Sequence, residues 1–330
     1  LFEKLRRVTY KNLGCLSDSA LIARLAAAEQ CLCIVNSRAQ AKNVASGLMR
    51  TCGQDGVFHL STLMHPAHRE RMLKAINERL RNGLPCRVVS TSLIEAGVDL
   101  DFPIVYRGLA GLDSIVQAAG RCNREGKLPF NSSWVYVFTS EGHPDTGKPY
   151  KLPEETKKRA GITASTVAIA ANVLVDYGSL QSIRNYFRNL DYMFRSIIHQ
   201  EKNALDDLCV TQDTKNNFGR RGGAIACFAI QFASADEDFK FIEDTSIPVI
   251  VPDGAIEDEV FRVKNGIASR GDLRRVSRYS VTVYRHMLEK LIRAGKVEQV
   301  NGAYILSSLD WYSEQMGLDC GDLQGEGMFW

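Results

Sequence analysis

Two arginines and a glutamine set the chemical question. Gln117, Arg121 and Arg124 stand at i, i+4 and i+7 in Gln117-Ala-Ala-Gly-Arg-Cys-Asn-Arg124. On a helix these positions share one face. A guanidinium keeps its proton, and its fork of donors matches phosphate oxygens. Ala118, Ala119 and Gly120 beside them suit close approach of a ligand, since Gly otherwise costs helix stability. The competing reading of the same residues is a solvated charged face.

A second stretch, Ser90-Thr-Ser-Leu-Ile-Glu-Ala-Gly-Val-Asp99, has the same character. Thr91 and Ser92 fall where a strand gives way to a short helix, and free amides there suit a phosphate. Gly97 lets the chain turn away. Asp99 then points back toward the strand ends, where an ionised carboxylate can accept from ribose hydroxyls. Its other reading is a cap on the next turn.

The elements that must position these residues alternate. Apolar runs predict strands over 6–10, 32–36, 57–60, 87–90, 104–106 and 135–138. Helical spacing predicts helices over 18–29, 38–49, 66–81 and 114–121. The alternation predicts a parallel sheet covered by helices on both faces. In such sheets ligands gather outside the carboxyl ends of the strands. That rule lines up Asn36 and Ser37, Ser61 and Thr62, Thr91 and Ser92, and Arg107 and Gly108 along one rim. Each Ser or Thr alone also serves turn chemistry.

Composition narrows the classes. Charged residues are 24% and hydrophobic residues 45% of 330, an ordinary balance for a globular chain, and the net charge is only +3. The charge is uneven: between Arg262 and Lys296 ten Lys or Arg stand against Asp272 and Glu289. Nine scattered cysteines without a C-x-x-C pair predict a reduced, cytoplasmic setting and no zinc site. Cys31 and Cys33 read as buried strand residues, and Cys122 as packing. His65 and His68 lack further nearby ligands for a metal, and Pro66 places His65 at a helix start. The apolar stretch 162–177 falls short of a membrane span, and no signal peptide is seen. Gly142-His-Pro-Asp-Thr-Gly-Lys148 has the spacing of a phosphate loop. Pro149 stands where Ser or Thr is required, so it reads as an ordinary loop.

Together, Gln117-x-x-Gly120-Arg121-x-x-Arg124, Ser90–Asp99 and Cys33-Ile-Val-Asn-Ser-Arg38 resemble the sixth, fifth and fourth motifs of superfamily 2 helicases. The wider stretches 59–69, 91–101 and 117–126 resemble the CRISPR-associated helicase–nuclease of type I interference. The likeness is dense over the first 140 residues and weak beyond. The resemblance implies a second RecA-like motor domain over 1–150. Arg121 and Arg124 would act on the γ-phosphate of ATP, and Gln117, Gly97 and Asp99 would lie at the nucleotide. Asn36, Ser37, His59, Ser61, Thr62, Thr91 and Ser92 would hold single-stranded DNA. It implies ATP with Mg²⁺ shared with a first RecA-like domain, none bound by this chain alone. A nuclease domain and a CRISPR RNA-guided surveillance complex are the other implied partners. The chain opens with Leu1, which fits a piece of a longer protein whose first motor domain and nuclease precede it.

The remainder reads as a helical connector and linker over 151–223 and a small α+β domain over 224–330. Helices are predicted over 154–177 and 180–208, the latter carrying an aromatic cluster of Tyr186, Phe187, Tyr192, Met193 and Phe194. The stretch 211–223 reads as a linker. Strands are predicted over 239–242 and 248–251, a helix over 281–294, and a hairpin over 296–306 turning at Asn301-Gly302. Helix followed by hairpin leaves two readings open, a cap over a DNA groove and a winged-helix-like DNA reader. Arg274, Arg275, Arg278 and Arg285 are candidate phosphate contacts in both. The rival functions are another superfamily 2 DNA or RNA helicase half and a non-catalytic nucleic-acid-binding module.

Overall fold

The alternation folds into a six-stranded, all-parallel sheet. The computed structural model describes residues 6–95, 97–169, 177–198 and 246–320. The strands are β1 (Thr9–Leu16), β2 (Gln30–Ile34), β3 (Val57–Leu60), β4 (Cys86–Ser90), β5 (Ile104–Gly108) and β6 (Trp134–Ser140). Their spatial order is β1-β6-β5-β2-β4-β3. The chain leaves central β2 for one edge and returns to β5 on its other side. The switch point therefore falls beside the carboxyl ends of β4, β2 and β5.

Strand β2 shows how the sequence builds the two layers. Cys31, Cys33 and Val35 turn to Leu21 and Leu25 of α1 (Asp18–Ala27) and to Val44 and Leu48 of α2 (Arg38–Cys52). Leu32 and Ile34 turn the other way, to Ile76 of α3 (Pro66–Arg81) and Ala118 of α4 (Leu112–Ala119). Both faces are buried, which is why the run is apolar throughout and not alternating. Burial pushes the Cys31 and Cys122 thiols up to about 12, so both are packing groups.

Most boundaries move by a few residues, and two of the differences matter here. β1 starts at Thr9 and runs to Leu16, with a register shift between Asn12 and Cys15. Its polar Lys11 and Asn12 hid an edge strand that is largely open to solvent. More consequential, α4 stops at Ala119. Gly120 caps it, its amide shared between Val116 and Gln117 carbonyls. Cys122 then bridges Phe102, and Asn123 adopts φ 47°. Asn123 is pinned by donating to the Arg7 and Leu128 carbonyls at 2.9 and 2.7 Å. The single helical stripe of Gln117, Arg121 and Arg124 is therefore corrected. Only Gln117 is on the helix.

Leu1–Tyr186 with Ser246–Phe329 form one compact unit, and Phe187–Thr245 with Trp330 another. Helix α5 (Glu154–Ile169) is tied to α4 by Arg159, which donates to Asp113 at 2.9 Å. In α6 (Leu180–Ile198) Tyr186 is buried, while Phe187 and Tyr192 are exposed. The side chains of Met193 and Phe194, the linker over 211–223 and the strand expected over 239–242 lie outside the described residues.

The C-terminal part is a second sheet, order β8-β7-β10-β9, built from β7 (Ser246–Ile250), β8 (Ser280–Tyr284), β9 (Val297–Val300) and β10 (Ala303–Leu306). Helices α7 (Glu257–Lys264), α8 (Arg270–Ser277) and α9 (Arg285–Arg293) lie between its strands in sequence. The helix expected over 281–294 is thus split, because β-branched Val281, Thr282 and Val283 extend as β8. Asn301 and Gly302, at φ 47° and 79°, make the two-residue hairpin turn. A last ribbon, β11 (Tyr312–Ser313) with β12 (Gly317–Leu318), reaches back to the first sheet. Among the described residues no helix is long and apolar enough to cross a membrane.

Candidate functional site

The predicted residues fall in three places. Three adjacent strands bring the first group to the open part of the rim. Asn36 follows β2, Thr91 and Ser92 follow β4, and Gly108 ends β5, with Arg107 buried beside it. Ser37 caps α2 and Thr91 caps the short turn Ser92–Ile94, both with extended backbones and neither with a side-chain cap bond. Ser92 is exposed. Asn36 is already committed: it donates to the Leu109 carbonyl at 2.7 Å and accepts from Arg107 Nη1 at 2.6 Å.

The second group lies on the sheet's flank. From the rim, the connection between β4 and β5 descends the face that packs Ile94, Leu100 and Phe102. Arg121 meets it partway, donating from Nε to the Ile94 carbonyl at 3.2 Å and from Nη2 to the Glu95 carbonyl at 2.7 Å. Arg124 donates from Nη1 to the Val98 carbonyl at 3.3 Å and pairs with Asp99 at 3.2 Å. Asp99 does not turn back to the rim as the sequence reading has it. Gly97, at φ 72°, turns the chain so that Asp99 faces Arg124. The Arg124 side chain is 40% exposed and that of Asp99 88%. Gln117 is exposed, and Arg121 is half-buried. Burial first, then the Arg124 cation, lowers the Arg121 guanidinium pKa. Below them Asp101 accepts from the Arg124 and Glu125 amides at 2.7 and 3.2 Å, which fixes the backbone carrying Arg124.

Between rim and flank sits a pairing that the sequence reading did not foresee: it set Arg107 on the rim, and the fold buries it. Glu95 and Arg107 form a buried ion pair, Oε1 to Nη2 at 2.9 Å, with side chains 7% and 3% exposed. Burial raises the Glu95 carboxyl, opposed by the Arg107 charge, and lowers Arg107, opposed by Glu95. The only signal in sequence is charge inside two apolar segments.

The third group is sealed except for Thr62, which is partly exposed with its hydroxyl turned inward. His59 and Ser61 are 3% and 1% exposed, so they do not meet solvent. Ser61 Oγ accepts from the Leu63 amide, and Thr62 Oγ1 is buried without a partner, as are both ring nitrogens of His59. The cover is the ribbon β11–β12. Tyr312 Oη accepts from the His65 amide at 3.1 Å and lies 2.7 Å from His68 Nδ1. His68 Nε2 is 3.2 Å from a Glu314 carboxylate oxygen, and the His65 and Tyr312 rings stack at 5.2 Å. Leu63 packs into the C-terminal core, while Met316 packs into the core of the first sheet. Gly317 is required here: a Cβ would stand 2.5 Å from the Leu63 carbonyl oxygen. Burial holds His59 and His65 at about 4, well under the ordinary imidazole value.

Of the other candidate arginines, Arg278 is paired with Glu70 of α3 at 2.7 Å, and Arg275 with Glu259 at 3.3 Å. Arg274 and Arg285 are exposed. The loop with phosphate-loop spacing is closed on itself, with the His143 amide donating to the Lys148 carbonyl and the Gly147 amide to the His143 carbonyl.

The comparisons bear on the fold. Residues 27–127 match the family model described as CRISPR-associated nuclease/helicase Cas3, C-terminal. A CRISPR-associated nuclease/helicase Cas3 of Haloferax volcanii is 38% identical over 99 residues, 29% of this chain and 11% of that protein. Among solved structures, T. fusca Cas3 with AMPPNP superposes with a TM-score of 0.57 at 15% identity, over 92% of this chain and 40% of that one. A chain of a CRISPR RNA-guided surveillance complex, pre-nicking, does so with a TM-score of 0.52 at 13% identity, over 91% and 41%. The chain thus spans a small share of its curated relative and about two fifths of these solved chains. It resembles the C-terminal half of Cas3-type helicases, by sequence over 27–127 and by fold over most of its length.

Proposed function

We propose that this chain is the C-terminal half of an ATP-dependent single-stranded-DNA translocase and helicase–nuclease of CRISPR antiviral defence, working in the cytoplasm. The observation that carries the reading is the flank. Arg121 and Arg124 are held there by main-chain carbonyls at 94, 95 and 98, beside exposed Gln117 and Asp99. Carbonyl anchors orient a guanidinium without neutralising it, which suits a cation meant for an outside phosphate. Asp99 is a solvent-screened partner that a phosphate can displace.

In this reading residues 1–150 are the second RecA-like domain, 151–223 a connector and 224–330 a cap. A first RecA-like domain supplies the phosphate-cradling loop and holds ATP with Mg²⁺. When the domains close, Arg121 and Arg124 neutralise charge on the γ-phosphate, while Gln117, Asp99 and the turn at Gly97 border the nucleotide. Ser37, Thr91 and Ser92, on a frame set by Asn36, grip the DNA backbone at the rim. His59 and Ser61 reach DNA only if the ribbon β11–β12 lifts, and Thr62, partly exposed, only if its hydroxyl turns outward. The nuclease domain and an RNA-guided surveillance complex complete the assembly. The docking of Leu63 and Met316 across the two sheets favours a cap over an independent DNA reader.

The test is Arg124→Ala in the protein that carries both motor domains. Turnover of ATP should drop by roughly 10³-fold or more with the fold intact by circular dichroism. Near-normal turnover would take Arg124 out of the role, and steady hydrolysis by this chain alone would refute the division of labour.

A further inference from the structure

The rim and the flank are joined through a buried ion pair, not by packing alone. Starting at the rim, Asn36 Oδ1 accepts from Arg107 Nη1 at 2.6 Å. Arg107 Nη2 meets Glu95 Oε1 at 2.9 Å, and the Glu95 carbonyl accepts from Arg121 Nη2 at 2.7 Å. The next carbonyl toward the rim, that of Ile94, accepts from Arg121 Nε. Arg107 Nη1 also donates to the Gly108 carbonyl at 2.8 Å, so the guanidinium is fixed at several points.

Such a pair is a poor device for stability. Taking two charges from water costs more than their attraction usually returns, and apolar residues of like volume often serve as well. Arg107 Nε is buried without a partner, which adds to the cost. What the pair supplies is a directional polar tie between two segments that also share one apolar core. A shift of Asn36 under a bound strand pulls Arg107, and Glu95 passes the pull to the main chain that aims Arg121.

We propose that Glu95 and Arg107 are positioning residues that transmit occupancy of the rim to the arginine on the flank. The proposal rests on the motor reading above. It adds the route by which nucleic acid at one place raises turnover at the other.

The experiment replaces the pair together, Glu95→Leu with Arg107→Met, in the protein carrying both motor domains. The double change avoids an orphaned buried charge, and it leaves the main-chain carbonyl that holds Arg121 in place. Turnover is measured with and without a single-stranded oligonucleotide. Thermal melts and oligonucleotide titrations are run alongside. The melt, the KM for ATP and the DNA-free rate should hold close to the unaltered protein, and the rates with DNA are compared at oligonucleotide concentrations that the titrations show to be saturating. The DNA-stimulated kcat should fall by about tenfold, inside the usual range for coupling between sites. Arg107→Lys keeps the charge but has one nitrogen in place of the fork, so it cannot hold Asn36 and Glu95 together. It should lose part of the stimulation, and it reads the same ratio should the double variant melt early. Full stimulation in both variants overturns the proposal alone. Absence of stimulation in the unaltered protein overturns the motor reading and this inference with it.

Discussion

The rim has an open part and a sealed part, and the two carry the same kinds of side chain. After β2 and β4 stand Ser37, Thr91 and Ser92, with partly or fully exposed positions. After β3 stand Ser61, His65 and His68, buried and, with the inward-turned hydroxyl of Thr62, gathered near a ribbon whose Tyr312 lies 247 residues from the His65 amide it receives. Polar residues at strand ends therefore do not by themselves mark a surface. At the open part they are presented. At the sealed part they are the fittings that lock one sheet to the other, and some of them, both nitrogens of His59 and Thr62 Oγ1, pay for it by going without partners.

Acid breaks that contrast most strongly. His59 and His65 sit at about 4 in the fold and near 6.5 when unfolded. Between those values the unfolded chain binds more protons than the folded one. Stability is therefore full above about 6.5 and is lost as pH falls toward 4, by roughly 1.4 kcal/mol per pH unit for each histidine. His59→Leu should flatten one proton's share of that slope in chemical denaturation between pH 7.5 and pH 4.5, values chosen to bracket the roughly one-proton window. An unchanged slope would place the sensitivity elsewhere.

Next in size is Tyr312→Phe, which keeps the ring stacked on His65 and removes only the hydroxyl. The His65 amide and His68 Nδ1 then lose their partner under cover. At about 1–3 kcal/mol for each buried unsatisfied group, the loss should be about 2–6 kcal/mol in urea unfolding. If the ribbon stays wet in solution, water replaces the hydroxyl and the change is close to zero.

The two parts also differ in how much of them the sequence discloses. The sheet is legible because burial leaves a local trace: Cys31, Leu32, Cys33, Ile34 and Val35 form an unbroken apolar run whose alternate members serve opposite layers. The Asn301-Gly302 turn is legible for the same reason, since its φ values restrict the residue types. The end of α4 is not. Helical spacing continues through Arg121 and Arg124, and what stops the helix is Phe102, reached through Cys122 and the Arg121 carbonyl. The seal over β3 is hidden more deeply, because residues near 65 and near 314 carry no shared periodicity. The ion pair of Glu95 and Arg107 is hidden too, because nothing in the order of residues says that a charge after β4 meets a charge near the end of β5.

On the flank a smaller effect is due. Asp99 meets Arg124 in solvent, and exposed pairs are worth roughly 0–1 kcal/mol. Asp99→Asn should scarcely move the melting temperature. A loss as large as that of Tyr312→Phe would mean that the flank is structural like the sealed rim, and the contrast between presented and fitted residues would fail there.

An effect of similar size is the most discriminating, because it sets two helix caps side by side. Ser17 accepts from the Ala20 amide and so caps α1, whereas Ser37 occupies the same position on α2 without a cap bond. Removing a working cap costs about 1 kcal/mol. Ser17→Ala should therefore destabilise by about that amount and leave single-strand affinity alone. Ser37→Ala should leave urea unfolding near the unaltered value, since no bond is lost, yet weaken binding of a single-stranded oligonucleotide at low salt. If Ser37→Ala instead costs as much stability as Ser17→Ala and affinity holds, its hydroxyl caps α2 in solution, and the open rim loses one of the groups offered to a phosphate.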